Sequence, residues 1–151
     1  MYYYGDLEVG DVYETGVYSI TKEELVMFAE QFDPQPFHVD EEAAQESMFG
    51  GLVVSGLHTL CLSVRLFITE FIQGEEGVAN MGGSGMDELR WHKPVRPGDT
   101  LHVRVKIVEK KISENRSDRG YIDFNLRAFT DGEEAMSVVL HNIVKRSGDV
   151  D

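Results

Sequence analysis

The chain has 151 residues, 42% of them apolar, and a formal net charge of −13 from 27 acidic against 14 basic side chains. That length suffices for one domain with a real core, expected to span residues 1–151. The acidic balance argues against nucleic-acid binding, which needs a basic face, and the single Cys61 excludes an intramolecular disulfide or a multi-cysteine metal site.

No charged-then-apolar segment opens the chain, so no secretory signal is read and the cytoplasm is the expected location. The acidic surface suits ordinary solubility. It also suits adaptation to high salt, where screening removes self-repulsion, and a halophilic source is carried as a hypothesis.

In chain order, Asp11 to Ile20 is expected as a first strand, with Val12, Val17 and Ile20 among polar residues. Thr21 with Glu24 three residues later has the capping-box pattern. The helix it opens holds Leu25, Val26, Phe28, Ala29 and Phe32 and ends before Pro34 and Pro36. Asp40 is expected to cap a short helix over Glu41 to Gln45, and Gly50-Gly51 breaks the chain. Ser55 to Ile72 is strongly apolar. His58, Arg65 and Glu70 make it a poor membrane span, so a central helix buried against a sheet is expected.

The second half reads as a meander of strands. Met86 to Trp91, Leu101 to Ile107, Ile122 to Ala128 and Ala135 to Val144 are its members, the middle two with clear alternation. Pro97-Gly98-Asp99 is a turn, Ser113 to Gly120 a polar loop, and Asp131-Gly132 a tight hairpin signal. Gly82-Gly83-Ser84-Gly85 reads as a mobile loop. A long helix followed by a twisted antiparallel sheet predicts an α+β hot-dog fold, the helix wrapped by the sheet. Its open edges are protected by a second copy of the chain, so a homodimer is expected.

The chemistry concentrates in Asp33-Pro34-Gln35-Pro36-Phe37-His38, with Gly56 following 18 residues later at the head of the central helix. An acid and a histidine five apart, stiffened by two prolines, can act on one water. A glycine N–H at a helix N-terminus faces a developing oxyanion with the helix dipole behind it. Taken singly, Asp33 reads as a loop acid binding a backbone N–H, His38 as a partly buried histidine and Gly56 as a packing glycine. Together they are the candidate catalytic residues. Ser55 is expected to cap the helix. His58 and Cys61 are read as core or pocket wall. His92, His102 and His141 show no metal-ligand spacing, so no metal and no cofactor is expected.

These motifs resemble the MaoC-like dehydratases, which include the (R)-specific enoyl-CoA hydratases. The family pattern runs Asp-x-Asn-Pro-aliphatic-His and then a His-Gly pair. Here Gln35 stands for Asn, Phe37 for a smaller aliphatic residue and Ser55 for His. Phe49 to Thr59, and Asp87 to Trp91 with Pro94 to Asp99 after it, resemble one branch of the family, and the likeness runs from about Gly5 to Arg146.

The resemblance implies that water adds to a trans-2-enoyl-CoA to give an (R)-3-hydroxyacyl-CoA. Asp33 and His38 would divide the proton transfers and Gly56 would hold the enolate. Ser55 and Phe37 become candidate substrate contacts, and the carrier is coenzyme A or an acyl-carrier protein. An acidic protein needs a local cationic patch for coenzyme A phosphates. Arg116 and Arg119, in a loop with Lys110 and Lys111, are its candidates, with Arg90, Lys93 and Arg96 near the sheet turn as others. A hot-dog thioesterase and a non-catalytic acyl-CoA-binding module are the alternatives.

Overall fold

The computed structural model describes residues 1–148; residues 149–151, the end of the expected domain, lie outside the described residues. A 3-10 turn at Tyr4–Asp6 precedes strand β1 (Val12–Ser19) and helix α1 (Lys22–Phe32). Short helices α2 (Pro36–Val39) and α3 (Glu41–Glu46) lead to α4 (Gly56–Leu66), which runs on as a π-helix over Phe67–Ile72. Strands β2 (Asn80–Trp91), β3 (Thr100–Ile112), β4 (Arg119–Thr130) and β5 (Glu133–Lys145) complete the chain.

The local signals act as their chemistry requires. The Thr21 hydroxyl accepts the Glu24 N–H at 3.2 Å, and Asp40 accepts the Ala43 N–H at 3.0 Å. The return arm of the expected capping box is absent, because the Glu24 carboxylate accepts from Tyr18 and faces His58 instead. The Pro signal acts twice. Helix α1 stops at Phe32, and Pro36 then opens α2 at its first turn, where a missing N–H costs nothing. Asp131 and Gly132 both have positive φ, 52° and 75°, the pair that a two-residue hairpin with the right twist demands.

The five strands form one antiparallel sheet in the order β1-β3-β4-β5-β2. Only β3, β4 and β5 make a meander. β2 crosses to the far edge and pairs β5, while β1 closes the other edge against β3. The expected Gly82–Gly85 loop is also corrected: those residues are strand, with Gly83 opposite Asn142 and Gly85 opposite His141. The register slips at three places along β2, so the strand follows β5 through bulges rather than a regular ladder.

Helix α4 lies across the inner face. Its buried side, His58, Thr59, Leu62, Ser63 and Leu66, follows helical spacing. It packs with Phe67 and Phe71 on Leu101, Val103, Phe124 and Leu126 of the sheet. Burying each such side chain contributes about 1.5–3 kcal/mol, which is why the apolar run ends up beneath the sheet. This is the hot-dog arrangement. Cys61, read above as core or pocket wall, is instead exposed on the outward side of α4. Among the described residues no helix is long and apolar enough to cross a membrane.

Candidate active site

The site forms where three ends meet. Asp33 is the residue just beyond the end of α1, α2 carries His38 on its first and only turn, and α4 begins at Gly56. The proline-bearing step Asp33-Pro34-Gln35 separates α1 from α2 by three residues and turns Asp33 and His38 toward each other. Asp33 Oδ2 lies 3.3 Å from His38 Nε2.

Each member is held by a second contact. The His38 Nδ1–H donates to the Val53 carbonyl at 2.7 Å. A carbonyl only accepts, so the proton sits on Nδ1 and Nε2 is the atom presented to Asp33. His38 itself is 5% exposed. The Ser55 hydroxyl donates to Asp33 Oδ2 at 2.6 Å, and the Gln35 amide donates to Oδ1 at 2.7 Å. Burial would raise the Asp33 carboxyl; the hydrogen bonds from Ser55 and Gln35 and the nearby His38 outweigh it and hold the pKa below the usual carboxylate value.

Ser55 occupies the N-cap position of α4, yet its side chain makes no cap bond. The capping role expected for it is therefore corrected: its hydroxyl serves Asp33, and no side chain closes the first turn of α4. Gly56, at that turn, lines the same cavity as Asp33 and His38.

The cavity has a volume of about 440 Å³, within the usual range for small-molecule sites. Val53, Val54 and Val95 form a buried apolar floor, while Phe37, Phe49 and Trp91 stand as aromatic walls. Trp91 lies against Gly56. Its indole N–H donates to the Gly56 carbonyl at 2.9 Å, and a Cβ at position 56 would fall 2.4 Å from the ring. Any side chain at position 56 would therefore have to displace the Trp91 ring.

Asp33, Phe37, His38 and Gly56 therefore converge on one cavity, with Ser55 directly behind Asp33. Arg116 and Arg119 do not join them. Arg119 pairs with Asp118 at 2.8 Å, and the Arg116 N–H bonds Ser113 in the β3–β4 loop. The cation that does line the cavity is Lys93, paired with Glu133 at 2.8 Å. Sequence reasoning left Gln35 as a departure from pattern, whereas its amide holds Asp33. It also assigned no role to Trp91 or Phe49. The one available signal was a lone tryptophan six residues before the Pro97-Gly98-Asp99 turn. Among the described residues, no group of three or more His, Cys, Asp or Glu is placed to hold a metal.

Comparison with known proteins identifies the family. Residues 7–121 match the family model described as MaoC like domain. A curated relative from Bacillus subtilis, the uncharacterized protein YdeM, is 36% identical over 110 residues, covering 73% of this chain and 76% of that protein. The 3-hydroxybutyryl-CoA dehydratase of Methylorubrum extorquens is 33% identical over 118 residues, covering 78% and 70%. Protein MaoC of Klebsiella aerogenes is 34% identical over 116 residues, which is 76% of this chain but 33% of that longer protein. The crystal structure of the MaoC-like dehydratase from Rhodospirillum rubrum superposes with a TM-score of 0.87 at 35% identity, covering 98% of this chain and 99% of that one. The unliganded R-hydratase PhaJ1 of Pseudomonas aeruginosa follows at 0.74 and 25%, covering 97% and 86%. A hot-dog sheet around one central helix, an acid–histidine pair ahead of that helix and a sequence match over most of its length place the chain in the MaoC-like dehydratase family.

Proposed function

We propose that the chain is a hydro-lyase that adds water to a trans-2-enoyl-CoA, giving an (R)-3-hydroxyacyl-CoA, and catalyses the reverse dehydration. The observation that carries this reading is the Asp33–His38 pair facing an apolar cavity beside the uncapped N-terminus of α4. The dehydratase among the relatives and the R-hydratase fold neighbour support it; the stereochemistry rests on the family alone.

The chemistry balances on these residues. The reacting water would bind on the cavity side of the pair, within reach of both Asp33 and His38. Its oxygen bonds to C3 of the enoyl group while the pair takes one water proton. The C2=C3 electrons move toward the thioester, and the oxygen becomes an enolate oxyanion facing the Gly56 N–H. The pair returns one proton to C2, the enolate collapses and the proton count is unchanged. The 3.3 Å gap between Oδ2 and Nε2 lets the two residues pass that proton between them. Positioned acid–base groups contribute about 10²–10⁴-fold, and one oxyanion donor about 3–4 kcal/mol. Lys93 at the cavity wall replaces Arg116 and Arg119 as the cation offered to the carrier.

A homodimer completes this reading. The outer edge of β2 is unpaired in the sheet order, and the strand exposes Met81, Met86 and Trp91. Such an edge is usually covered, and a second copy there would close over the half-exposed Trp91 and Leu57 of the cavity.

The test is loss of enoyl-thioester absorbance from crotonyl-CoA, in low and high salt, with Asp33→Asn alongside. Loss without free thiol, abolished in the variant, is expected. Release of free thiol would mean a thioesterase. Silence across longer and branched enoyl-CoAs, with thioester binding intact, would mean a binding module.

A further inference from the structure

The wall of the cavity beyond His38 is built differently from the rest. Phe37 meets the His38 ring edge-on at 4.6 Å, and Phe49 packs on Phe37 with ring centroids 5.2 Å apart. Phe49 belongs to the turn between α3 and α4, a segment outside regular structure. Its place is nevertheless set from both ends. The Ser47 hydroxyl accepts the Phe49 N–H at 3.2 Å. Behind it the Arg96 guanidinium donates to the Phe49 carbonyl at 2.6 Å and to the Gly51 carbonyl at 3.3 Å. Arg96 is anchored in turn, its own N–H bonding Asp99 at 2.8 Å. A planar guanidinium bridging two carbonyls of one turn is a rigid clamp, which a lysine cannot reproduce.

The order of atoms in the substrate says which end this wall faces. With the thioester oxygen at the Gly56 N–H and C3 at the Asp33–His38 pair, C4 and later carbons continue away from Gly56, past His38. Phe37, packed on the His38 ring, and Phe49, packed on Phe37, line the cavity on the His38 side. We propose that Phe49 sets the acyl-chain length this site accepts, limiting it to short chains, and that Arg96 is its positioning residue. The proposal rests on the hydro-lyase reading for the direction of the chain. The wall and its clamp are independent of it.

The experiment compares four-carbon and eight-carbon trans-2-enoyl-CoAs in the parent protein and in Phe49→Ala, Phe49→Leu, Arg96→Gln and Arg96→Lys. Pocket contacts of this size change selectivity about 10–200-fold. The eight-to-four-carbon ratio of kcat/KM should therefore rise by at least about tenfold in Phe49→Ala and by less in Phe49→Leu. Arg96→Gln should move the ratio the same way through KM for the long chain, with Arg96→Lys recovering only part of the parent selectivity. The same ratio is read without turnover from butyryl-CoA and octanoyl-CoA binding, followed by fluorescence of Trp91, the one tryptophan in the chain. If the parent hydrates nothing, the hydro-lyase reading fails while the binding ratio still decides the wall. An unchanged ratio in both Phe49 variants overturns the proposal. So does a shift equal for both chain lengths that disappears when coenzyme A is replaced by a short thiol, since that would put Phe49 on the carrier side.

Discussion

Asp33 is a carboxylate surrounded by donors, and that sets its chemistry more than its exposure does. Ser55 and Gln35 each bond one oxygen of it. Removing a donor to the charged form raises a carboxyl pKa. Ser55→Ala should therefore move the acid limb of the pH profile of kcat/KM to higher pH and lower the plateau by about tenfold or more, within the usual range for an acid–base group; a limb that stays in place would separate Ser55 from Asp33. Gly56 leaves room for Trp91 and, in the proposed reaction, would present its N–H to the oxyanion. A methyl at 2.4 Å from the indole cannot be accommodated without movement. Gly56→Ala should lose about 1–3 kcal/mol in urea unfolding. Pairing it with Trp91→Ala should restore much of that loss. If hydration stays low in the double variant, the backbone geometry at position 56 matters to the reaction, and not only its packing.

At the scale of elements, two histidines tie strands and helices together with opposite pH dependence. His141 on β5 lies between Asp123 of β4 and Asp87 of β2, both at 2.6 Å, with Glu88 and Glu109 lining the same hollow. The hydrogen bonds to Asp123 and Asp87 raise its pKa above 6.5. Its contribution is thus complete below pH 6.5 and lost as pH rises through the raised value. His58 on α4 is stacked on Phe28 of α1 at 4.4 Å, with its Nε2 3.6 Å from Glu24. Burial lowers its pKa below 6.5, against the pull of Glu24. Its contribution is present above 6.5 and lost as pH falls through the lowered value. Unfolding free energies measured from pH 5 to 9 should therefore lose their alkaline fall in His141→Gln and their acid fall in His58→Met. The same sloping limbs in both variants would assign the pH dependence elsewhere. The β2–β5 pairing that His141 braces is also where the strand carries its bulges and glycines.

The whole molecule carries −13 at neutral pH, and salt within a Debye length of about 3 Å at 1 M would remove most of that repulsion. The melting temperature should rise between 0.05 and 2 M NaCl; a flat response would count against adaptation to high salt. Much of this protein was legible in the chain alone. Thr21, Asp40 and Asp131-Gly132 act through bonds to their immediate neighbours, so helix starts and the last hairpin follow from sequence. The period-two alternation of β3 and β4 reports one buried face, so those strands follow too. The Asp33–His38 spacing is equally local, being five residues bent by two prolines. Sequence alone could not place β2 at the far edge, since strand order depends on which edge remains free once β3, β4 and β5 have paired. Nor could it turn four glycine-region residues into strand, because their hydrogen bonds come from β5, some sixty residues away. It misread Ser55, whose hydroxyl chooses Asp33, 22 residues earlier, over the adjacent helix amides. Trp91 on Gly56 and Arg96 behind Phe49 are contacts between segments 35 and 47 residues apart. Short-range hydrogen bonding and periodicity are written in neighbouring residues. The partners of a site's second layer are decided only when the chain closes on itself.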